Sequence, residues 1–100
     1  MKNILNNEQT MDKKLSETMD ILQEECAEVI QAVSKCRRFG LENYKPGKPK
    51  TNLECLEDEI GDLLAMVDIL LEKQIISYEN LELAKQAKKD KLKVWSKIYE

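Results

Sequence analysis

The sequence predicts an all-α protein on two main observations. Three long segments carry apolar residues at three- and four-residue spacing, which is typical of amphipathic helices. Aromatic residues make up only 5% of the chain, with three glycines and two prolines, and this composition disfavours a β-sandwich or barrel. A length of 100 residues suits one domain, so residues 1–100 are predicted to form a single all-α domain.

Three helices follow from this periodicity. The first runs from about Asn7 to Arg37, the second from about Asn52 to Lys73, and the third from about Ser77 to Ile98. Thr51 and Glu54 have the spacing of a capping box before the second helix. The predicted core stripes are Leu15, Met19, Leu22, Cys26, Val29, Ile30 and Val33 on the first helix; Leu56, Ile60, Leu63, Val67, Leu70 and Leu71 on the second; and Leu81, Ala84, Ala87, Leu92, Trp95 and Tyr99 on the third.

The connection between the first two helices is predicted to be an ordered loop that includes one short helical turn. Its sequence, RRFGLENYKPGKPKTN, contains both prolines and two of the three glycines. Three helices with wide apolar faces make a thin bundle. We therefore expect four-helix bundles built by oligomerisation, as a homodimer or homotetramer.

Composition excludes several classes of function. The net charge of −3 gives no indication of nucleic-acid binding, and no apolar run approaches the length of a membrane span. The N-terminus has no secretory signal pattern, so a cytoplasmic location is expected. Three cysteines without a CxxC pair indicate reduced thiols rather than a disulfide framework. The absence of histidine excludes His-dependent triads and HExxH zinc sites.

Each of the first two helices carries a pair of carboxylates three residues apart on a partly apolar stripe. Packed side by side, the helices would bring four carboxylates together, and like charges that close require cations. Oxygen ligands without histidine or cysteine favour Mg²⁺, with Mn²⁺ as a possible substitute. The two stripes are Ile21, Glu25, Glu28 and Ala32, and Cys55, Glu59, Asp62 and Met66.

The alternative interpretation is that these carboxylates are solvated charges on amphipathic helices. Gly61 argues for a site, because a residue without a side chain lets another helix or a ligand approach closely. The neighbouring Glu57 and Asp58 are assigned to the solvated face.

Several basic residues are candidates for contacts with an anionic ligand such as a phosphate. Lys35 and Arg38 lie near the end of the first helix, where cations also suit the helix dipole. Lys88 and Lys91 fall among apolar positions of the third helix, where lysine can extend to solvent or reach a phosphate. The stretch GKPK is not a P-loop, because the glycine spacing is wrong and Lys48 precedes a proline.

Two residues of the loop region have open roles. Phe39 is expected to be a buried anchor where the first helix ends, with stacking on a nucleobase as the alternative. Asn52 is equally consistent with a helix cap and with a ligand contact.

The acidic residues resemble a known family. Glu24-Glu25-x-x-Glu28 followed by Glu59-x-x-Asp62 is similar to the EExxE…ExxD signature of the all-α nucleoside triphosphate pyrophosphohydrolases. The stretches EECAEVIQAVSKCRRFG and PGKPKTNLECLEDEIGDLLAMVDIL resemble a short MazG-like group of phages and bacteria. The resemblance covers roughly residues 20–76.

This resemblance implies Mg²⁺-dependent hydrolysis of a nucleoside triphosphate to the monophosphate and pyrophosphate. It makes Glu25, Glu28, Glu59 and Asp62 metal ligands, and it makes Glu24 a ligand or the group that orients the attacking water. Deoxynucleotides are expected among the substrates.

The last helix departs from the family pattern. Relatives carry a Lys…Asn…Arg arrangement for phosphate, whereas Asp90 and Lys93 stand here where Asn and Arg are expected. The rival hypothesis is therefore a non-catalytic helical interaction or adaptor module that keeps the fold.

Overall fold

A computed structural model describes residues 12–44 and 46–100, and all regular elements in these ranges are helices. Helix α1 spans Lys13–Phe39, α2 spans Asn52–Glu72 and α3 spans Tyr78–Trp95. The predicted all-α class and the three helices are confirmed. The predicted helical residues 7–11 lie outside the described residues.

Local capping explains where α1 begins and ends. Asp12 has an extended backbone, and its side chain accepts a 2.7 Å hydrogen bond from the Leu15 N–H, so α1 begins at Lys13. At the other end Gly40 adopts φ +91°, a conformation that favours glycine, and its N–H donates to the Cys36 carbonyl. The helix therefore continues past the predicted end at Arg37 to Phe39.

The capping box predicted at the start of α2 is confirmed, and α3 also begins with a side-chain cap. The Thr51 N–H donates to the Glu54 carboxylate at 2.9 Å, and the Glu54 N–H donates to the Thr51 hydroxyl at 3.1 Å, which is the reciprocal pattern of a capping box. Ser77 accepts from the Asn80 N–H at 3.2 Å and caps α3. Because Ser96 is extended, α3 ends at Trp95 rather than at Ile98.

The loop between α1 and α2, residues 40–51, is ordered by hydrogen bonds. The buried Asn52 side chain donates to the Gly40 carbonyl at 2.9 Å, while the backbone N–H groups of Asn52 and Leu53 donate to the Asn43 and Leu41 carbonyls. An isolated antiparallel β-bridge joins Tyr44 to Thr51. The described part of this loop contains turns and bends but no helical turn, so that element of the prediction was wrong.

The chain divides into two compact units, the first ending at Val67 and the second comprising Asp68–Glu100. In the first unit α1 and α2 run antiparallel: the Cys36 thiol contacts the Asn52 carbonyl beside the loop, whereas Glu25 and Asp62 approach each other further away. The buried side chains of this unit are Thr18, Ala32, Asn52 and Met66.

The buried faces of α1 and α2 differ from the predicted core stripes. Ala32 is buried, whereas Ile30 is 69% exposed on nearly the opposite side of α1. The apolar arc of each helix is wider than one partner helix can cover, so the chain buries one edge of it, next to the carboxylates. The stripe residues left exposed are Cys26, Ile30, Val33 and Ile60.

The second unit contains the end of α2 and the whole of α3. Leu70 is buried. The Leu70 carbonyl accepts a hydrogen bond from the Ile75 N–H, and the Leu71 carbonyl accepts one from the Gln74 N–H. These two bonds, with Gln74 at φ +59°, form a Schellman motif that ends α2. No residue of α3 is buried, and Trp95 is 83% exposed. The predicted core role of Ala84, Ala87, Trp95 and Tyr99 was wrong for the chain by itself. Among the described residues, no helix has the length and apolar character to cross a bilayer.

Candidate metal centre and substrate cleft

Three carboxylates from the two helices of the first unit converge. Oxygen atoms of Glu25 on α1 and of Glu59 and Asp62 on α2 all lie within 4.8 Å of one another. The i, i+3 spacing places Glu59 and Asp62 on one face of α2, and antiparallel packing brings Glu25 against them. Glu25 and Glu59 are partly buried, while Asp62 is exposed.

The surroundings of Glu59 disfavour its charged form. Burial raises the pKa of Glu59 above its usual range, and the nearby carboxylates of Glu28, Asp62 and Glu25 raise it further. Glu28 is not one of the three converging carboxylates. Its charge nevertheless raises the pKa of Glu59, and the two residues line one cleft. The structure thus brings three of the four predicted ligands together and places the fourth beside them.

The donor set fits a hard divalent cation. Mg²⁺ binds oxygen at 2.0–2.1 Å, so oxygens on opposite sides of the ion lie roughly 4 Å apart. The oxygens of Glu25, Glu59 and Asp62 lie within 4.8 Å of one another, a spacing close to that expected around one ion. Neighbouring like charges also give these carboxylates an electrostatic reason to bind a cation.

Two lysines line the same cleft as two of the carboxylates. A cavity of about 300 Å³ is lined by Glu28 and Glu59 together with Lys35 from α1 and Lys48 from the loop. Lys35 was a predicted phosphate contact, whereas Lys48 was considered only as part of a rejected P-loop. The sequence feature that could have identified Lys48 is its position four residues before Asn52. The Asn52 side chain hydrogen-bonds to the Gly40 carbonyl and so holds this part of the chain against the end of α1. The cleft therefore combines carboxylates for a cation with ammonium groups for anionic oxygens.

The remaining acidic residues of α2 have other surroundings. Asp58 accepts a 2.6 Å hydrogen bond from Lys50, and both side chains are about half exposed. This contact raises the pKa of the Lys50 ammonium group. Glu57 is exposed and is not in the carboxylate cluster, as expected from the sequence.

A second cavity, of about 320 Å³, adjoins the cleft and shares Lys35 and Asn52 with it. Phe39, Tyr44 and Pro46 line this cavity. Phe39 is 51% exposed, so its predicted role as a buried anchor was wrong. The Arg38 guanidinium lies over its ring, 4.9 Å from the centroid.

The other candidate residues lie outside the two cavities. Glu24 is exposed on α1 next to Glu25, and Arg38 contacts Phe39 instead of lining the cleft. Lys88 and Lys91 are exposed on α3 in the second unit. On the same helix Lys93 approaches Asp90 at 3.8 Å, so the two residues that depart from the family pattern contact each other.

The structure also shows the surroundings of Gly61, Asn52 and the three cysteines. A side chain added at Gly61 would meet no described atom within 4 Å, so the chain itself makes no close approach there. Asn52 has a third role, because it holds the loop to the end of α1. Cys26, Cys36 and Cys55 are free thiols, as predicted.

Converging carboxylates can hold a divalent cation, and lysines beside them can bind anionic oxygens such as those of a phosphate. The family model of the MazG nucleotide pyrophosphohydrolase domain matches residues 13–93, and the chain therefore belongs to this family of the all-α nucleoside triphosphate pyrophosphohydrolases. Searches of curated proteins and of solved structures found no match for the chain.

Proposed function

We propose that the chain is a Mg²⁺-dependent pyrophosphohydrolase that converts nucleoside triphosphates, including deoxynucleotides, to the monophosphate and pyrophosphate. Family membership gives the class of reaction. The observation that carries the proposal is the convergence of Glu25, Glu59 and Asp62 within 4.8 Å, because these residues supply a ligand set from two helices.

The carboxylates would hold the metal, with Glu28 beside them as a further ligand. When bound, Mg²⁺ offsets charge on phosphate oxygens and lowers the pKa of a bound water. Glu24, next to Glu25 on α1, is proposed to orient the attacking water and accept its proton. Mn²⁺ is expected to substitute, since it prefers the same oxygen ligands.

The lysines of the cleft are proposed to bind the phosphates. Lys35 and Lys48 line the same cavity as Glu28 and Glu59, so they place positive charge beside the proposed metal site. Contacts of Arg38, Lys88 and Lys91 with the substrate phosphates are proposed from the sequence resemblance. Arg38 would have to exchange its contact with the Phe39 ring for a phosphate.

Self-association is part of the proposal. Exposed apolar residues continue the arc of each helix beyond its buried face, with Ile30 and Val33 on α1 and Ile60 and Leu64 on α2. A second copy would cover these stripes and complete a four-helix bundle, as a homodimer or homotetramer. Light scattering coupled to size exclusion, with Ile30→Glu as the disrupting variant, measures this association.

The test is an assay of purified protein with Mg²⁺ and a panel of ribo- and deoxynucleoside triphosphates. The expected products are a monophosphate and pyrophosphate, separated from diphosphate and phosphate by ion-exchange chromatography. Activity should be lost in Glu59→Gln and kept in Glu57→Gln, the matched control outside the cluster. If no nucleotide is hydrolysed and Mg²⁺ leaves the melting temperature unchanged, the adaptor hypothesis is favoured instead.

A further inference from the structure

The cavity beside the cleft has the chemistry of an aromatic binding site. Phe39 and Tyr44 contribute ring surfaces, and Pro46 adds a third apolar wall. Its volume of about 320 Å³ is at the lower end of the range for small-molecule sites. Both rings are exposed: Phe39 is the last residue of α1 and Tyr44 lies in the loop that follows, and neither ring is packed in the core.

The position of this cavity identifies what it would bind. Lys35 and Asn52 line both cavities, so the aromatic cavity lies next to the lysine-lined cleft. Phe39 follows Lys35 by four residues, one helical turn and about 6 Å along α1. A molecule with phosphates at Lys35 and Lys48 therefore has its next group at the rings.

We propose that the cavity lined by Phe39, Tyr44 and Pro46 is the nucleobase subsite of the substrate. This inference rests on the proposed function, since it takes the phosphates to lie in the cleft. Aromatic side chains stack on the face of any base, so this subsite would select a nucleoside over inorganic triphosphate.

The loop is built to hold the rings in place. The Asn43 side chain donates to the Phe39 carbonyl, and the Tyr44 backbone is bridged to Thr51. Asn52 ties the start of the loop to α2 through the Gly40 carbonyl. The subsite is thus preformed, which reduces the entropy lost when a base binds.

The test compares two ligands that differ in the base. Phe39→Ala is expected to raise KM for nucleoside triphosphates about 5- to 100-fold, the range for loss of one stacking partner. Inhibition by inorganic tripolyphosphate, which has no base, should be unchanged. Leu41→Ala is the matched control: Leu41 is similarly exposed, follows Phe39 by two residues and does not line the cavity. Tyr44→Ala provides a second variant with the same expected selectivity.

An equilibrium measurement separates this proposal from the proposed activity. In a Trp95→Phe background, Phe39→Trp places the only indole in the cavity, and an α,β-methylene nucleotide should quench it with Mg²⁺ present. Tripolyphosphate should leave the indole fluorescence unchanged. Quenching by this analogue, combined with no hydrolysis of any natural nucleoside triphosphate by the wild-type chain, would uphold the subsite and contradict the enzymatic proposal. No quenching, or equal loss of nucleotide and tripolyphosphate binding in Phe39→Ala, would overturn the subsite.

Discussion

The acidic cluster at one end of the cleft and the aromatic cavity at the other affect the stability of the fold in different ways. At the acidic end, Glu25, Glu59 and Asp62 repel one another, and partial burial adds to the cost of charging Glu59. At the aromatic end, Phe39 and Tyr44 are exposed rings held by a hydrogen-bonded loop. We therefore expect the acidic end to reduce stability until a cation binds, whereas the aromatic end depends on how well the loop is held.

Removing one carboxylate from the acidic end is expected to have the largest effect. Glu59→Gln should lower kcat/KM by at least about 100-fold, since even residues that only support metal ligands reach that magnitude. Pyrophosphate release at saturating Mg²⁺ measures the change. Wild-type activity in this variant would contradict the assignment of Glu59 as a ligand, provided that Glu57→Gln behaves like the wild type.

Releasing the loop at the aromatic end is expected to cost stability. Asn52→Ala removes a buried hydrogen bond and leaves the Gly40 carbonyl without its donor, a loss of about 1–3 kcal/mol. Chemical denaturation followed by circular dichroism gives this value. Thr51→Val, which removes a hydroxyl of the exposed capping box, is the milder comparison and should cost about 1 kcal/mol.

Neutralising the acidic end should stabilise the metal-free protein. Because the pKa of Glu59 is raised in the folded state, the folded chain holds this proton more tightly than the unfolded chain, and stability falls as pH rises above the usual value of 4.5. The melting temperature of Glu59→Gln in EDTA should therefore exceed that of the wild type near pH 8, with the difference closing near pH 4. Mg²⁺ should raise the melting temperature of the wild type more than that of the variant.

The smallest effect tests the open space beside Gly61, between Glu59 and Asp62 on α2. Gly61→Ala meets no described atom within 4 Å and removes a glycine from a helix interior, so it should stabilise the chain by up to about 1 kcal/mol. Thermal denaturation measures this gain. A loss of stability or of self-association would instead show that another copy packs against Gly61.

Much of this architecture could be predicted because it is local in sequence. The caps at Thr51 and Ser77 depend on residues three positions away, and the carboxylate pairs depend on helical spacing within each helix. The choice of buried face could not be predicted, since Ile30 and Ala32 both lie on partly apolar stripes and only the partner helix decides between them. The exposure of Phe39 and the place of Lys48 in the cleft depend on the path of the loop, which a single sequence does not specify.

Helix α1 fixes the distance between the acidic cluster and the aromatic cavity. It carries Glu25 of the acidic cluster and Phe39 of the aromatic cavity, fourteen residues or about 21 Å apart on one continuous rod. Substitutions alter what each end binds, but a single inserted residue would turn one end by 100° relative to the other. The helix should therefore tolerate changes of side chain far better than changes of length, while the loop remains free to vary the preference for a base.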